Sequence, residues 1–131
     1  MADVRRGWDQ QVRYGLNHPA LYALLYGRVA PGRPCRVTAV AERQLRSLLE
    51  RLDGDGLLRT TPEAAAQQIV AANVGVTLQL IAQPEGCADL EQSRTLRETV
   101  LADRAAGPCG RRKRERGPAH WLPRPPTWPK H

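Results

Sequence analysis

The chain has 131 residues, enough for one domain whose apolar core needs no disulfide or metal ion. Its net charge of +7 is unevenly distributed, because residues 1–106 carry 13 Arg against 12 Asp or Glu, while residues 107–131 carry seven Lys or Arg against one Glu. A basic nucleic-acid footprint is therefore excluded for the first 106 residues. We expect a folded domain at 1–106 and a disordered, basic, Pro-rich tail at 107–131.

The cysteines indicate a reduced protein. Cys35, Cys87 and Cys109 are an odd number at wide spacing, without a CxxC pair or a nearby histidine that would predict a zinc site. The first residues carry charges but no apolar run behind them, so no signal peptide is predicted. We expect a cytoplasmic protein without metal or cofactor.

Two helices are predicted in the first 27 residues. Val4, Trp8, Val12 and Leu16 recur at every fourth position, on one face of a helix that Asp3 could cap. Pro19 then suits the first position of a second helix, which runs through an apolar stretch to Gly27. The prolines at 31 and 34 predict a loop at residues 28–36.

The third helix has the clearest pattern. One apolar stripe contains Val37, Val40, Ala41, Leu45, Leu48, Leu49 and Leu52, opposite a charged face. Asp53-Gly54-Asp55-Gly56 can end this helix because such residues tolerate a left-handed backbone, and Thr61-Pro62-Glu63 predicts the start of the next one by a cap, a proline and a carboxylate.

The fourth helix is predicted over residues 62–83 and contains an uncharged run from Ala64 to Pro84, long enough to span a bilayer. Five side-chain amides in the run argue against membrane insertion. Because an uncharged helix must be covered on more than one side, we expect part of it to meet a second copy of the chain. One stripe is Ile69, Ala72, Val76 and Leu80; the other is Val70, Val74, Thr77 and Ile81.

A fifth helix is predicted from Asp89 to about Ala105. Asp89 is expected as its cap, with Gln92 completing a capping box, and Gly107-Pro108 as its end. The fold class that follows is all-α, a bundle of about five helices.

Three segments resemble the carboxy-terminal domain of TetR-type (TetR/AcrR) transcriptional regulators, in an order that covers about residues 4–106. They are Asn17-His18-Pro19-Ala20-Leu21-Tyr22-Ala23-Leu24-Leu25-Tyr26-Gly27, then Gly56-Leu57-Leu58 leading into Pro62-Glu63-Ala64-Ala65-Ala66, and Asn73-Val74-Gly75-Val76.

The resemblance implies a bacterial regulator domain that encloses a pocket for a small apolar or amphipathic effector and forms a homodimer through its last two long helices. In that family an amino-terminal helix-turn-helix domain binds DNA. No such pattern precedes Trp8, so DNA binding of that kind is expected only if such a domain is supplied. A truncated or split regulator gene is one explanation that the sequence leaves open.

Pocket walls would come from the inward faces of the first four helices. The candidates are Trp8, Val12, Tyr22, Leu25, Tyr26, Leu45, Leu49, Asn73 and Val76. The same apolar residues could instead fill a core, since sequence alone does not separate a pocket from a core. Asn73, in an apolar turn, needs a hydrogen-bond partner if buried, and that partner could also lie across a dimer.

The dimer interface candidates lie on the last two helices, where small residues would let a neighbouring backbone approach closely. They are Val70, Ala71, Val74, Gly75, Thr77, Leu78, Ile81, Leu96 and Val100. An adaptor that binds another protein through the same helix is an alternative, because both kinds of association use the same kind of surface.

Catalysis is not expected, since no nucleophile with a base, no paired carboxylates and no phosphate-binding glycine loop can be assembled. His18 is expected to be structural, at a helix cap. The alternative function is nucleic-acid binding through the basic tail on a dimeric helical scaffold. The tail residues concerned are Arg111, Arg112, Lys113, Arg114 and Arg116.

Overall fold

The computed structural model describes residues 1–54, 56 and 58–104, which form five helices and no strand. The helices are α1 (Ala2–Asn17), α2 (Pro19–Tyr26), α3 (Arg36–Gly54), α4 (Pro62–Ile81) and α5 (Leu90–Arg104). The all-α prediction is confirmed. The tail predicted at 107–131 lies outside the described residues.

Helix α4 is at the centre of the fold and packs against each of the other four helices. Its sequence is the reason, because beyond Glu63 in the first turn no residue of α4 carries a charge that would have to stay in water. The core around it consists of Val4, Trp8, Val12, Leu49, Ala65, Ala66, Ile69, Val76, Leu80 and Leu101. At roughly 25 cal/mol per Å² of buried apolar surface, this cluster is the main source of stability.

The predicted start of α4 is confirmed, both in the position of its proline and in its cap. Pro62 occupies the first turn, and the hydroxyl of Thr61 accepts a hydrogen bond of 3.2 Å from the backbone N–H of Ala64. The turn before it contains Gly56 with φ of 72°, the left-handed conformation that glycine adopts without strain. Helix α4 ends at Ile81, two residues earlier than predicted.

The predicted cap of α1 and the predicted capping box of α5 are wrong, whereas Asp89 caps α5 as predicted. Helix α1 begins at Ala2, so Asp3 lies inside its first turn and Met1 is at the cap position. At α5, the Asp89 carboxylate does accept from the backbone N–H of Glu91, at 3.1 Å, but Gln92 donates to the side chain of Gln79. The backbone N–H of Asp89 donates instead to the Gln83 amide oxygen at 3.0 Å, so a residue from the loop after α4 does what the capping box would have done.

The apolar stripes are covered unevenly. On α3, Val40 is 43% exposed, so the predicted stripe is wider than the buried face. On α4, Val70 and Thr77 are buried by the chain itself, whereas Val74 and Ile81 are only half-buried. Helix α1 packs against α4, which is why the second stripe is partly covered without a second copy.

Helix α4 is also long and apolar enough to cross a membrane, and 44% of its apolar window is buried inside the fold. Length and composition alone are weak grounds for a span, because the core helix of a soluble protein meets the same test.

Candidate ligand-binding cavity

A cavity of about 220 Å³, partly open to solvent, lies between α1, α3 and α4, with one side chain from α2. It is lined by Asp3, Val4, Gly7, Trp8, Gln11, Tyr26, Ala41, Gln44, Leu45, Leu48, Ile69, Val70, Asn73 and Val74. Gly7 helps to make the space, because a methyl group built at its α-carbon would meet no atom within 4 Å.

Four of the nine predicted pocket residues line this cavity: Trp8, Tyr26, Leu45 and Asn73. The other five do not line it. Val12, Leu49 and Val76 are in the core, Tyr22 is fully buried, and Leu25 is half-buried on α2.

Most of the α1 residues that line the cavity were not predicted as pocket residues from the sequence. Two further lining residues, both on α4, were predicted for a dimer interface instead. Val4 and Gln11 lie four residues before and three after Trp8, so helical spacing places all three on one face. That signal could have predicted the α1 wall. Val70 and Val74 were predicted for a dimer interface, yet they line the cavity. An apolar pattern gives the face of a helix but not the element that covers it.

The polar groups around the cavity are held by α1, α4 and α5 together. The indole N–H of Trp8 donates to the hydroxyl of Ser93 at 2.9 Å, so the polar edge of this ring is already paired. The side-chain N–H of Asn73 donates to the backbone carbonyl of Trp8 at 3.3 Å. No described residue donates to the amide oxygen of Asn73, and this oxygen stays accessible to solvent although the residue as a whole is only 7% exposed. An acceptor in the cavity wall is therefore unused.

The two tyrosines of α2 stack with their ring centroids 4.4 Å apart, Tyr26 at the cavity and Tyr22 in the core. Burial raises the pKa of Tyr26 above its ordinary value and raises the pKa of Tyr22 to about 12. Both phenols are neutral at physiological pH.

The cavity lining has one carboxylate and no cationic side chain. The carboxylate belongs to Asp3, at the end of the cavity nearest the start of α1, and Arg6 lies 3.8 Å from it on the exposed face. Both side chains are 70% exposed, so this pair is weak.

An ion-pair group fixes α1 against α5. Arg97 donates to the Asp9 carboxylate at 2.8 Å and to Glu98 at 3.0 Å, and Arg5 donates to Glu98 at 2.9 Å. The hydrogen bond from Arg5, reinforced by Arg97, holds the pKa of Glu98 below its ordinary value. These contacts orient the helix that supplies one cavity wall.

The predicted interface residues of α4 and α5 divide into covered and accessible positions. Val70 and Thr77 are buried; Val74, Leu78, Ile81, Leu96 and Val100 are half-buried; Ala71 and Gly75 are exposed. A methyl group at Gly75 would meet nothing within 4 Å. The side of α4 around Ala71 and Gly75 is thus free of side chains from the rest of the described chain.

The described part of the chain gives little evidence for a metal site, a functional histidine or a second apolar pocket. No group of three His, Cys, Asp or Glu residues there could hold a metal ion. His18 is at the cap position of α2 without a side-chain hydrogen bond, and its ring lies 5.0 Å from that of Tyr14. A second depression of about 160 Å³ between α3 and α4 has a rim with both signs of charge, Glu42, Arg43, Arg46 and Glu63. The basic run at 111–116 lies outside the described residues.

This arrangement can hold a small molecule with an apolar body. No family model, curated protein or solved structure matches the chain. The argument for function therefore rests on the cavity and on the accessible face of α4.

Proposed function

We propose that this chain is an effector-binding and homodimerisation domain of the kind found in TetR-type transcriptional regulators. The effector is a small apolar or amphipathic molecule that binds between α1, α3 and α4. A second copy packs against α4 and α5, and operator binding requires a helix-turn-helix domain.

The observation that carries the proposal is the cavity of about 220 Å³ beside Trp8 and Asn73. The space is partly open to solvent, so a ligand could reach it from the surface. An apolar cavity of roughly 150 Å³ can bind benzene, so this one has room for a somewhat larger molecule. Drug-sized ligands occupy roughly 300–1,000 Å³, which limits the effector to about one or two rings.

The proposed dimer rests on the small residues of α4. Ala71 and Gly75 are one helical turn apart and exposed, with half-buried Val74 and Leu78 beside them. Such a surface allows two helices to approach closely and to bury the partly covered valine and leucine side chains. Helix α5 is adjacent, so the two copies would form a four-helix bundle.

Two matched glycine variants separate the two parts of the proposal. Gly7→Leu places a side chain in the cavity, and Gly75→Leu places the same side chain on the accessible face of α4. In both helices the substituted position has open space around it, so both variants are expected to fold. Leucine is also a better helix former than glycine by about 0.5–1 kcal/mol.

The probe is 1-naphthylmethanol, an uncharged two-ring alcohol, and the readout is its dissociation constant by calorimetry together with the solution mass by light scattering. We expect Gly7→Leu to weaken probe binding and keep the dimer, and Gly75→Leu to weaken the dimer and keep probe binding. A monomeric wild-type protein would reject the dimer. Equal probe binding by wild type and Gly7→Leu would reject the cavity as the effector site.

A further inference from the structure

We infer that the cavity discriminates by charge: it accepts uncharged or cationic apolar molecules that carry a hydrogen-bond donor, and it excludes carboxylates of the same size. This inference names the ligand class for the cavity of the proposed function and rests on that function.

The first argument is the hydrogen-bonding capacity of the wall. The amide oxygen of Asn73 accepts no hydrogen bond from a described residue, on a side chain that is 93% buried (7% exposed). The potential donors near it are committed, since Trp8 donates its indole N–H to Ser93 and Thr77 donates its hydroxyl to the Asn73 backbone carbonyl at 2.7 Å. Because this oxygen stays accessible to solvent, a ligand that brings an N–H or O–H group can take the place of water as its donor.

The second argument is the charge of the lining. It contains the Asp3 carboxylate but no Lys, Arg or His. The remaining polar side chains are those of Gln11, Gln44, Asn73 and Tyr26, which are neutral, and burial raises the pKa of Tyr26 further. A carboxylate in this space would lose hydration without gaining a cation, whereas an ammonium group at the outer end would face Asp3.

The third argument is that this preference opposes the charge of the whole protein. Six of the seven net positive charges lie in residues 107–131, so non-specific association with that segment would favour a carboxylate ligand. Weaker binding of the carboxylate would therefore be attributed to the cavity and not to the rest of the chain.

The test uses three ligands with one ring system, 1-naphthylmethanol, 1-naphthylmethylamine and 1-naphthoate, titrated into the full chain at neutral pH by calorimetry. We expect the alcohol and the amine to bind and the carboxylate to bind at least about tenfold more weakly, because its charge is left unpaired. Asp3→Asn should remove any advantage of the amine over the alcohol. Asp9→Asn, the same change on the same helix but facing Arg97 of α5, should leave that ratio unaltered.

The possible failures are distinguishable. If 1-naphthoate binds as tightly as the alcohol and Gly7→Leu abolishes the binding of both, the charge selection is wrong while the cavity remains the binding site. If no ligand of the three binds, or if Gly7→Leu binds them all like the wild type, the proposed function is wrong and this inference with it.

Discussion

Trp8 and Ser93 join the middle of α1 to the start of α5 by a buried hydrogen bond of 2.9 Å, from the indole N–H to the serine hydroxyl. Each residue is only 3% exposed. Since water cannot easily replace the serine, the bond fixes the position of the indole ring that forms part of the cavity wall.

Ser93→Ala should therefore lower the free energy of unfolding by about 1–3 kcal/mol, the cost of a buried donor left without a partner. Urea denaturation followed by tryptophan fluorescence measures it. Ser47→Ala is the matched control, because the Ser47 hydroxyl bonds only to the Arg43 carbonyl on an exposed helix face. A loss no larger than that of the control would mean that the Trp8 bond contributes nothing.

Gly15 marks the point where α1 approaches α4 and α2 most closely. A methyl group there would overlap the methyl group of Thr77 and lie 3.1 Å from the ring of Tyr22. Gly15→Ala should destabilise the protein by about 1–3 kcal/mol through overpacking, less the gain in helix propensity. Gly7→Ala, where the new methyl group meets nothing, should stabilise it.

Thr77→Ser should restore much of the stability of Gly15→Ala, because it removes the overlapping methyl group and keeps the hydroxyl that bonds to Asn73. A double-mutant cycle from urea denaturation gives this coupling. Additive effects of the two substitutions would show that the overlap is relieved in another way.

Tyr22 is fully buried and its hydroxyl makes no well-formed hydrogen bond in the described part of the chain, although the Thr77 hydroxyl is close enough to oppose the rise of its pKa. Tyr22→Phe should leave stability unchanged or raise it by about 1 kcal/mol, since an unpaired polar group is removed from the core. Tyr14→Phe, at an exposed position, is the control. A clear loss of stability in Tyr22→Phe alone would indicate that the hydroxyl is paired in solution.

Tyr22 also makes the stability of the protein depend on pH in the alkaline range. Burial raises the pKa of Tyr22 from 10.0 to about 12, so the folded state holds its proton more tightly than the unfolded state. That contribution to stability is complete below pH 10 and is lost as pH rises toward 12. Tyr22→Phe should therefore reduce the decline of stability in this range, measured as the urea midpoint at each pH.

Glu98 makes the stability of the protein depend on pH in the acid range, with the opposite sign: stability falls as the pH falls. Its pKa is held below the ordinary value of 4.5, so its contribution is present above that pH and is lost as pH falls through the folded-state pKa. Glu98→Gln should flatten the stability profile below about pH 5, by no more than about 1 kcal/mol because the pair is exposed. Glu91→Gln, in an exposed pair with Arg94 on the same helix, is the control. Identical profiles for the two variants would contradict a special role for Glu98.

The sequence predicted the helices well because their boundaries depend on local chemistry. Thr61 and Pro62 start α4 as expected, since a cap and a proline act within one turn. The capping box of α5 was mistaken because Gln83, two residues after the end of α4, reaches Asp89, while Gln92 pairs with Gln79. Local spacing does not reveal a competing partner from another element.

The site was harder to predict for the same reason. Trp8 and Asn73 were expected in the pocket because a large amphipathic ring and a buried amide suit a cavity wall. Val70 was expected in a dimer interface, yet it lines the cavity between α1, α3 and α4. Where neighbouring helices separate is a property of packing and has no signature in one apolar stripe.

The most direct test of the account is a methyl NMR titration with 1-naphthylmethanol. The chain contains two isoleucines, Ile69 in the cavity wall and Ile81 at the end of α4, outside the cavity lining. With both δ1-methyl groups labelled, and Ile81→Val to assign them, we predict that the Ile69 signal shifts with added ligand while the Ile81 signal stays in place. Equal shifts of both signals, or no shift of Ile69 at saturating ligand, would contradict binding in the cavity.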